Sequence, residues 1–301
     1  MQKNEKTQAC PSVRAQVITR RTYNRPTETG YETWEQTVDR VIRHQGWLWD
    51  RALGKPNPDG VYYQSVCAEL EELRQLMLDR KVMVSGRTLW LGGTDVAKKR
   101  EASQFNCAHL KVETIHDVVD SLWLLLQGCG VGFTPVVGTL SGFTSPINTI
   151  EVLRSKRTKK GGHEGNKESF DADTRTWTIT VGDSAEAWAK SIGKLLAYKG
   201  KATKLILDLT QLRPAGQRLA GYGWISSGDG PLSKAFTAIT QILNKKSGQL
   251  LSKMDILDVM NWLGTVLSSR RSAEIALVYH DTPEWEQFAR EIGRASCRER
   301  V

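Results

Sequence analysis

The stretch Ser103–Pro135 reads SQFNCAHLKVETIHDVVDSLWLLLQGCGVGFTP and sets the architecture that we expect of this chain. Cys107 lies at the end of a short segment with strand character, and a tight glycine run, Gly128–Gly132, follows about a helix-length later. Glycine lets backbone approach a ligand without side-chain obstruction, so the thiol and the turn can face one pocket. Taken alone, a single cysteine is more often a small buried packing residue than a catalyst. The apolar residues between the two features recur at helical spacing, at Ile115, Val118, Val119, Leu122, Leu125 and Leu126.

Strand and helix patterns continue to alternate after this stretch. Thr176–Val181 alternates like a half-buried strand, Ala185–Tyr198 has helical spacing, and Lys204–Leu209 is typical of another strand. We expect Asp183 to cap the intervening helix, with Glu186 completing a capping-box-like pair. Two further helices are predicted, over Lys234–Leu243 and Met254–Val266.

The first hundred residues are predicted to be mostly helical. Helical spacing extends over Thr33–Trp49, where Thr33 is able to cap the helix, and over Tyr63–Lys81. The segment SGRTLW, which begins at Ser85, is expected to form a turn that leads into an extended segment. The pattern therefore predicts a helical domain followed by α/β structure.

The composition is that of an ordinary globular protein with an excess of positive charge. The chain has 42 Lys and Arg residues against 33 Asp and Glu residues, which gives a formal net charge of +9. A basic balance suits polyanionic partners, and nucleoside triphosphates satisfy it as well as nucleic acid does. The longest apolar run, Leu122–Leu126, is far shorter than the ~18–20 residues of a membrane span, and Met1–Gln16 shows no signal peptide. We expect a soluble, cytoplasmic protein.

The cysteines do not form a metal-binding or disulfide pattern. Cys10, Cys67, Cys107, Cys129 and Cys297 are widely separated. Because no CxxC or Cys/His spacing is present, no metal site is expected. An odd number of widely spaced cysteines does not indicate the disulfide framework of a secreted protein. The cysteine pattern is more typical of a protein in a reducing compartment, in which one or two thiols have a specific role.

Four further blocks accompany the Ser103–Pro135 stretch, and together the five resemble the ribonucleotide reductases. The order of the blocks is also that of the family, and the closest resemblance is to the N-terminal part of the monomeric, adenosylcobalamin-dependent (class II) ribonucleoside-triphosphate reductases. The blocks are TYNR at Thr22–Arg25, SGRTLWLGGT at Ser85–Thr94, DLTQLRPAGQ at Asp208–Gln217 and SSRRSAEIAL at Ser268–Leu277. A lone glycine motif would be a weak signal, whereas five ordered blocks over most of the chain are a strong one.

The resemblance implies a fold and a domain plan. Residues 1–100 would form a mainly helical domain, and residues 101–290 would form the first half of a ten-stranded α/β barrel, truncated after that half. An inserted effector-binding element would occupy about residues 147–200. In the monomeric members this element imitates the dimer contact of the other classes, so the native protein is expected to be a monomer.

The resemblance also implies a thiyl-radical reduction of ribonucleoside triphosphates to deoxyribonucleoside triphosphates. Cys107 matches the N-terminal member of the family's redox-active cysteine pair, which thioredoxin re-reduces. The partner cysteine, the radical cysteine and the cobalamin-binding portion would all lie beyond Val301. This fragment is therefore expected to be inactive by itself.

The resemblance assigns further residues to two nucleotide sites. Residues near the substrate would be Ser85, Gly86, Ser103, Asn106, Cys129 and Gly130. A deoxynucleoside triphosphate effector would meet Asp183 and Ser184 at the start of one helix. The loop Pro135–Pro146, with Gly138 and Thr139, would complete that effector site. Plain packing by Cys129 and plain helix capping by Asp183 remain open alternatives. WISSGDGPL at Trp224–Leu232 is looser than the family's glycine-serine block.

The tail Glu291–Val301, EIGRASCRERV, resembles a translated sequencing-adapter run. We expect it to be an artefact that has no place in the fold, and the natural protein to continue beyond it. The alternative is a charged, solvated C-terminus.

Two other classes of function compete with a reductase. A non-catalytic nucleotide-binding module would keep the effector site and would have no use for Cys107. A nucleic-acid-binding protein is disfavoured, because Lys and Arg cluster chiefly in the loop Arg154–Lys167 and no stacking motif interleaves with them. That loop reads either as a solvated, mobile loop or as a flap that meets phosphates.

Overall fold

A computed structural model describes residues 11–54, 57–219, 225–267 and 274–290. The chain divides into two compact units, Met1–Phe105 and Asn106–Val301. Two of the sequence predictions, the adapter-like tail and the start of the SSRRSAEIAL block, lie outside the described residues. None of the helices in the described ranges is both long and apolar enough to cross a membrane.

The first unit is mainly helical, as the sequence predicts. Its small core consists of Val38, Val41, Met77 and Leu89. The helices are α1 (Val13–Ile18), α2 (Trp34–Leu53), α3 (Val61–Leu78), α4 (Gly86–Leu91) and α5 (Asp95–Lys99), with a π-helical turn at Thr19–Tyr23 and a 3₁₀ turn at Glu101–Gln104. A short antiparallel pair, β1 (Pro26–Thr27) and β2 (Gly30–Tyr31), precedes α2.

Helix α2 begins at the predicted residue. Thr33 Oγ1 accepts a hydrogen bond from the backbone N–H of Gln36 at 3.2 Å, and Gln36 Oε1 accepts one from the N–H of Thr33 at 2.8 Å. This reciprocal pair is a capping box, which satisfies two backbone donors that the helix itself cannot. The prediction that Thr33 caps this helix is therefore confirmed.

The extended segment predicted after Ser85 is wrong, because α4 occupies that position. Ser85 Oγ accepts from the N–H of Thr88 at 3.2 Å and caps the helix. Arg87, Leu89 and Leu91 are all buried. Tertiary burial of these side chains outweighs the local turn signal of the Ser-Gly pair, whose effect on secondary structure is weaker than packing.

A buried arginine joins distant parts of the first unit. Arg40 contacts both carboxylate oxygens of Glu32, at 2.8 Å and 3.0 Å, and donates to the carbonyls of Leu89 at 3.0 Å, Tyr23 at 3.3 Å and Gly92. Burial alone would raise the pKa of Glu32, but the Arg40 hydrogen bonds and further donors outweigh it and lower that pKa. Because Tyr23 lies in TYNR and the other two carbonyls lie in SGRTLWLGGT, this ion pair holds the two family-like blocks together.

The described residues of the second unit form two sheets. Strands β3 (Cys107–Val112), β4 (Gly130–Pro135) and β9 (Glu274–Ala276) form a parallel sheet in the order β3-β4-β9. Strands β5 (Thr149–Leu153), β8 (Lys204–Asp208) and β7 (Thr176–Thr180) are parallel, and β6 (Lys167–Asp171) pairs antiparallel with β7 at the edge.

Helices connect and cover these sheets. Helix α6 (Ile115–Leu126) joins β3 to β4 and α7 (Ala185–Ala197) joins β7 to β8, so each sheet contains a parallel βαβ unit. Helices α8 (Asp229–Lys245) and α9 (Lys253–Gly264) follow. Helices α6 and α7 pack so closely that a Cβ at Gly193 would lie 2.8 Å from a methyl carbon of Val119. The predicted strand–helix alternation after residue 103 is confirmed.

His44 provides a pH-dependent contribution to the first unit that can be measured. Its side chain is 3 % exposed and stacks on Trp47, and its Nδ1 has no hydrogen-bond partner among the described residues. Burial, helped by the positive charges of Lys98 and Arg40 and opposed by Glu101, lowers the pKa of His44 from 6.5. The folded state therefore favours the neutral imidazole, and its contribution to stability is present above pH 6.5 and is lost as the pH falls through the lowered pKa.

We predict that His44→Phe, which keeps an aromatic ring on Trp47, reduces the fall in melting temperature between pH 7.5 and pH 5.5. Thermal unfolding followed by circular dichroism measures this. The control is His116→Phe, because the side chain of His116 is exposed and the substitution should leave the wild-type pH dependence. Equal pH dependence in wild type and His44→Phe would show that the buried imidazole contributes nothing.

Candidate functional site

Cys107 is the first residue of β3 and lies on its exposed face. Parallel pairing places Cys107 level with Gly130, and residues paired in this way project to the same side of the sheet. His109 and Lys111 share the exposed face of β3, whereas Val112 is buried on the other side. The Cys107 thiol is therefore exposed, and the residue level with it on β4, Gly130, has no side chain.

Cys129 points away from that face. Its side chain is fully buried with Leu125 and Val131 in a small apolar cluster. Its neighbour Gly130 donates from its N–H to the carbonyl of Asn106 at 2.8 Å, which draws the Asn106–Cys107 segment against the glycine turn. The Cys129 side chain therefore packs in the core, as the alternative interpretation of this residue expects. Backbone hydrogen bonding brings Asn106, Cys107 and Gly130 together.

The glycine run begins as the end of α6. The N–H of Gly128 donates to the carbonyl of Leu125 at 2.8 Å, and the N–H of Cys129 donates to the carbonyl of Leu124 at 3.0 Å. These two bonds form a Schellman motif, whose central residue takes a left-handed conformation, and Gly128 has φ = 87°. One glycine of the run is therefore required by the helix end, and the later glycines lie in β4.

The remaining residues predicted near the substrate lie in the first unit. Ser85 caps α4, and a Cβ at Gly86 would lie 3.3 Å from the hydroxyl oxygen of Tyr23. Ser103 is fully buried, and its carbonyl accepts a hydrogen bond from Arg87 Nη1 at 2.9 Å. Their proximity to a substrate stays a prediction.

A second cluster surrounds Asp183, directly before α7. Asp183 is 4 % exposed, and its Oδ1 accepts from Arg213 Nε at 2.8 Å. Arg213 Nη2 also donates to the backbone carbonyl of Asp183 at 3.1 Å. The other carboxylate oxygen, Oδ2, is buried and accepts no hydrogen bond from any described residue.

The predicted capping role of Asp183 is wrong, because Ser184 is the N-cap of α7. Ser184 Oγ accepts from the N–H of Ala187 at 3.1 Å and donates to the carbonyl of Glu164 at 2.7 Å. The Asp183 carboxylate is turned instead towards Arg213, which lies 30 positions away in sequence. Local sequence patterns do not reveal such a partner. The sequence therefore assigns no role to Arg213, although Arg213 lies in the family-like block Asp208–Gln217.

The basic loop Arg154–Lys167 is anchored to the segment that follows β8. Arg157 Nε donates to the carbonyl of Thr210 at 3.2 Å, and a Cβ at Gly162 would overlap the carbonyl oxygen of Gln211. Arg154 donates to both carboxylate oxygens of Asp229, and these hydrogen bonds hold the pKa of Asp229 below its usual range. Arg154, Arg157 and Gly162 are therefore in contact with neighbouring segments, whereas Lys159 and Lys160 are exposed.

The loop Pro135–Pro146 is held close to the start of α6. A Cβ at Gly138 would lie 2.5 Å from the carbonyl oxygen of Glu113, and the N–H of Thr139 donates to the same carbonyl at 2.9 Å. Farther along, Lys199 Nζ donates to Ser141 Oγ at 2.7 Å and to the carbonyl of Gly142 at 2.9 Å. Burial lowers the pKa of Lys199. Gly138 and Thr139 are therefore both held against the backbone carbonyl of Glu113.

Two concavities flank α7. The first, of about 360 Å³, is lined by Val119, Asp120, Trp123, Glu186, Ala189 and Lys190. The second, of about 260 Å³, is lined by Glu164, Gly165, Asn166, Ser184, Glu186, Ala187, Lys190 and Lys194. Within the described ranges, no group of three or more His, Cys, Asp or Glu side chains is placed to hold a metal ion. The second concavity includes Ser184, one of the predicted effector residues.

Comparison with protein families gives two matches. The ribonucleotide reductase alpha domain matches residues 2–94, and the insertion domain of B12-dependent ribonucleotide reductase matches residues 151–243. The second match contains Asp183, Arg213 and the anchored basic loop.

Curated relatives are similar over most of this chain. The adenosylcobalamin-dependent ribonucleoside-triphosphate reductase of Lactobacillus gasseri is 30% identical over 293 residues, which cover 82% of this chain and 38% of the relative. The enzyme of that name from Lactobacillus acidophilus is 27% identical over 311 residues, covering 89% of this chain and 42% of the relative. The chain therefore spans about two fifths of the length of these relatives.

A solved structure shares the fold. The crystal structure of a B12-dependent (class II) ribonucleotide reductase superposes with a TM-score of 0.76 over 93% of this chain and 44% of that one, at 23% identity. This match confirms the predicted fold class, a truncated α/β structure of the ribonucleotide reductase type.

The helix end at Gly128 makes a measurable contribution to stability. We predict that Gly128→Ala destabilises the protein by about 1 kcal/mol, because alanine is strained at positive φ. The matched control is Gly46→Ala inside α2, where a Cβ would meet Leu70 at an ordinary 3.8 Å. In that helix interior alanine should stabilise by about 0.5–1 kcal/mol. Urea unfolding measures both, and a neutral Gly128→Ala would contradict the assigned role of the turn.

Proposed function

Because this chain belongs to the B12-dependent ribonucleotide reductases, we propose that it forms part of an enzyme that reduces ribonucleoside triphosphates to 2′-deoxyribonucleoside triphosphates. The observation that carries the proposal is the position of Cys107. Its thiol lies on the exposed face of β3, level with Gly130, where a ligand can approach backbone without meeting a side chain.

The proposed reaction consumes two thiols for each ribose. Two cysteine S–H groups give up two electrons and two protons and become a disulfide. The C2′–OH bond of the ribose breaks, a C2′–H bond forms, and the hydroxyl leaves as water. Cys107 is proposed as one of the two thiols, in a thiyl-radical mechanism whose radical cysteine lies outside this chain.

The second thiol is also proposed to lie outside this chain. A disulfide needs Cα atoms about 5.5 Å apart and Cβ atoms directed at each other. Cys129 immediately precedes Gly130, the residue level with Cys107, but its buried side chain packs with Val131 on the opposite side of the sheet from Cys107. The chain alone should therefore be inactive, and the disulfide should need an external dithiol such as thioredoxin.

Adenosylcobalamin is assigned to the portion of the relatives that this chain does not span. A corrinoid is larger than the drug-sized ligands that fill pockets of about 300–1,000 Å³. The concavities of about 360 Å³ and 260 Å³ are too small to enclose it. The proposed work of the described residues is therefore to place a reducing thiol and to bind nucleotides.

Substrate contacts are proposed for the backbone around the glycine turn. Asn106, Cys129 and Gly130 would contact the ribose chiefly through main-chain groups, since the Cys129 side chain is buried. Ser85, Gly86 and Ser103 stay candidates on the strength of the family resemblance.

An effector site is proposed at the start of α7. The effector would be a deoxynucleoside triphosphate, and the monomeric state expected of the protein would place both halves of this site in one chain. Asp183 Oδ2 is an acceptor without a partner among the described residues, which suits a sugar hydroxyl. Ser184 begins a 13-residue helix whose N-terminal end favours phosphate. Gly138 and Thr139 would complete the site.

Replacement of Cys107 tests the reductase directly. We predict that Cys107→Ser in the full-length protein, with adenosylcobalamin and thioredoxin present, abolishes multiple turnovers of deoxynucleotide formation. Serine preserves the size of the side chain but cannot form the disulfide. The matched control is Cys67→Ser, because Cys67 is a free, exposed cysteine on α3 and its loss should leave the rate within about twofold, as for an ordinary surface change.

Sustained turnover by Cys107→Ser would show that Cys107 is not one of the two reducing thiols. If wild type itself binds deoxynucleotides but forms no product, the non-catalytic nucleotide-binding module is the correct function.

A further inference from the structure

We propose that His109 returns a proton to the sulfur of Cys107 each time an external dithiol reduces the disulfide that Cys107 forms. This inference rests on the proposed reductase function and adds to it a residue and a chemical step. It begins from the side chains that share the exposed face of β3.

Cys107 and His109 lie two positions apart on one strand, and both are exposed. Side chains two positions apart in a strand project from the same face, and a rise of about 3.3 Å per residue separates their Cα atoms by about 6.6 Å. At that separation a thiol and an imidazole can meet directly or through one water, which is the reach that a proton donor needs. The strand therefore places a proton-exchanging group beside the thiol.

The neighbouring strand leaves room around both side chains. The register pairs Cys107 with Gly130 and His109 with Gly132. Neither the thiol nor the imidazole therefore faces a side chain at its own level on β4. A disulfide partner and a reductant can approach the sulfur there, because glycine offers no side chain to obstruct them.

Two further side chains on this face define the surroundings of the imidazole. Thr134 Oγ1 lies 3.4 Å from His109 Nε2, and this contact engages one ring nitrogen and leaves Nδ1 available for a second partner. Lys111, which is level with Thr134, is the other charged side chain of β3 on this face. Its Cα lies about 13 Å along the strand from that of Cys107, which is too far for direct proton transfer to the thiol.

The proposed reaction needs a protonated thiol at Cys107 at the start of every turnover. A dithiol reduces a disulfide by attack of its thiolate on one sulfur, and the other sulfur leaves as a thiolate. When Cys107 is the leaving sulfur, the S–S bond breaks, the electron pair stays on Sγ, and the imidazolium of His109 gives its proton to that sulfur. The imidazole then regains a proton from the dithiol, whose own two sulfurs become joined. Two electrons and two protons thus pass from the dithiol to the cysteine pair.

The test separates the two halves of the cycle in the full-length protein. Pre-reduced protein with adenosylcobalamin first completes one turnover without reductant, and the deoxynucleotide is quantified. Dithiothreitol or thioredoxin is then added, and quenched alkylation measures the rate at which the disulfide is reduced. We expect His109→Gln to form product in the first stage, because Cys107 starts protonated, and to be reduced about tenfold or more slowly in the second. Both reductants should show the loss, whereas a residue that only docks thioredoxin would affect thioredoxin alone.

Matched variants separate proton transfer from charge and from folding. Lys111→Gln removes a positive charge from the same face, and His116→Gln removes an exposed histidine on α6; each should leave the rate of disulfide reduction within about twofold. His109→Ala opens a space beside Gly132, and added imidazole should restore its rate. This rescue also serves if His109→Gln fails to fold, as judged by thermal melting. A merely structural His109 would lower the melting temperature and would not respond to imidazole.

The outcomes that overturn the inference are distinguishable from failure of the reductase function. If wild type forms deoxynucleotide in the first stage and the His109 variants are reduced at its rate, the reductase function stands and His109 supplies no proton. Equal slowing by Lys111→Gln and His109→Gln would assign the effect to positive charge, which also contradicts the proposal. If wild type forms no deoxynucleotide, the reductase function fails and the step at His109 fails with it.

Discussion

The parallel pairing of β3 with β4 is the constraint on which the candidate site depends. Once Cys107 is level with Gly130, strand alternation decides that the thiol faces outward and that Val112, Val131 and Phe133 face the core. A shift of one residue would bury the thiol and expose the core side chains. The Schellman motif at the end of α6 leads the chain into β4 at this register. The helix end at Gly128 and the position of Cys107 are therefore parts of the same β3–α6–β4 unit.

Several of the helices could be predicted from the sequence, because the patterns that indicate them are local. The apolar spacing from Ile115 to Leu126 predicts helix α6, and in the first unit Thr33 predicts the start of α2. The failures concern partners that are distant in sequence. Asp183 has the chemistry of a helix cap, yet Arg213 takes its carboxylate. Ser85 and Gly86 resemble a turn, yet burial of Arg87, Leu89 and Leu91 makes that segment a helix.

The second unit contains two βαβ arrangements whose helices, α6 and α7, pack closely at Gly193. One arrangement presents Cys107 and the other presents Asp183. The proposed chemistry and the proposed regulation therefore use the same architectural element twice, with a thiol at the start of a strand in one case and a carboxylate at the end of a strand in the other. The match to the insertion domain contains Asp183, at residues 151–243, whereas the match to the alpha domain covers residues 2–94 of the first unit.

The central claim is that Cys107 supplies electrons together with a cysteine outside this chain. The most direct test is to map disulfides in the full-length protein after a single turnover without external reductant. Alkylation and peptide mass spectrometry should find Cys107 joined to a cysteine beyond residue 301, at one disulfide per deoxynucleotide formed. Cys129, which is buried on the other face, should remain a free thiol. Product formed while Cys107 stays free, or a disulfide between Cys107 and Cys129, would contradict the account.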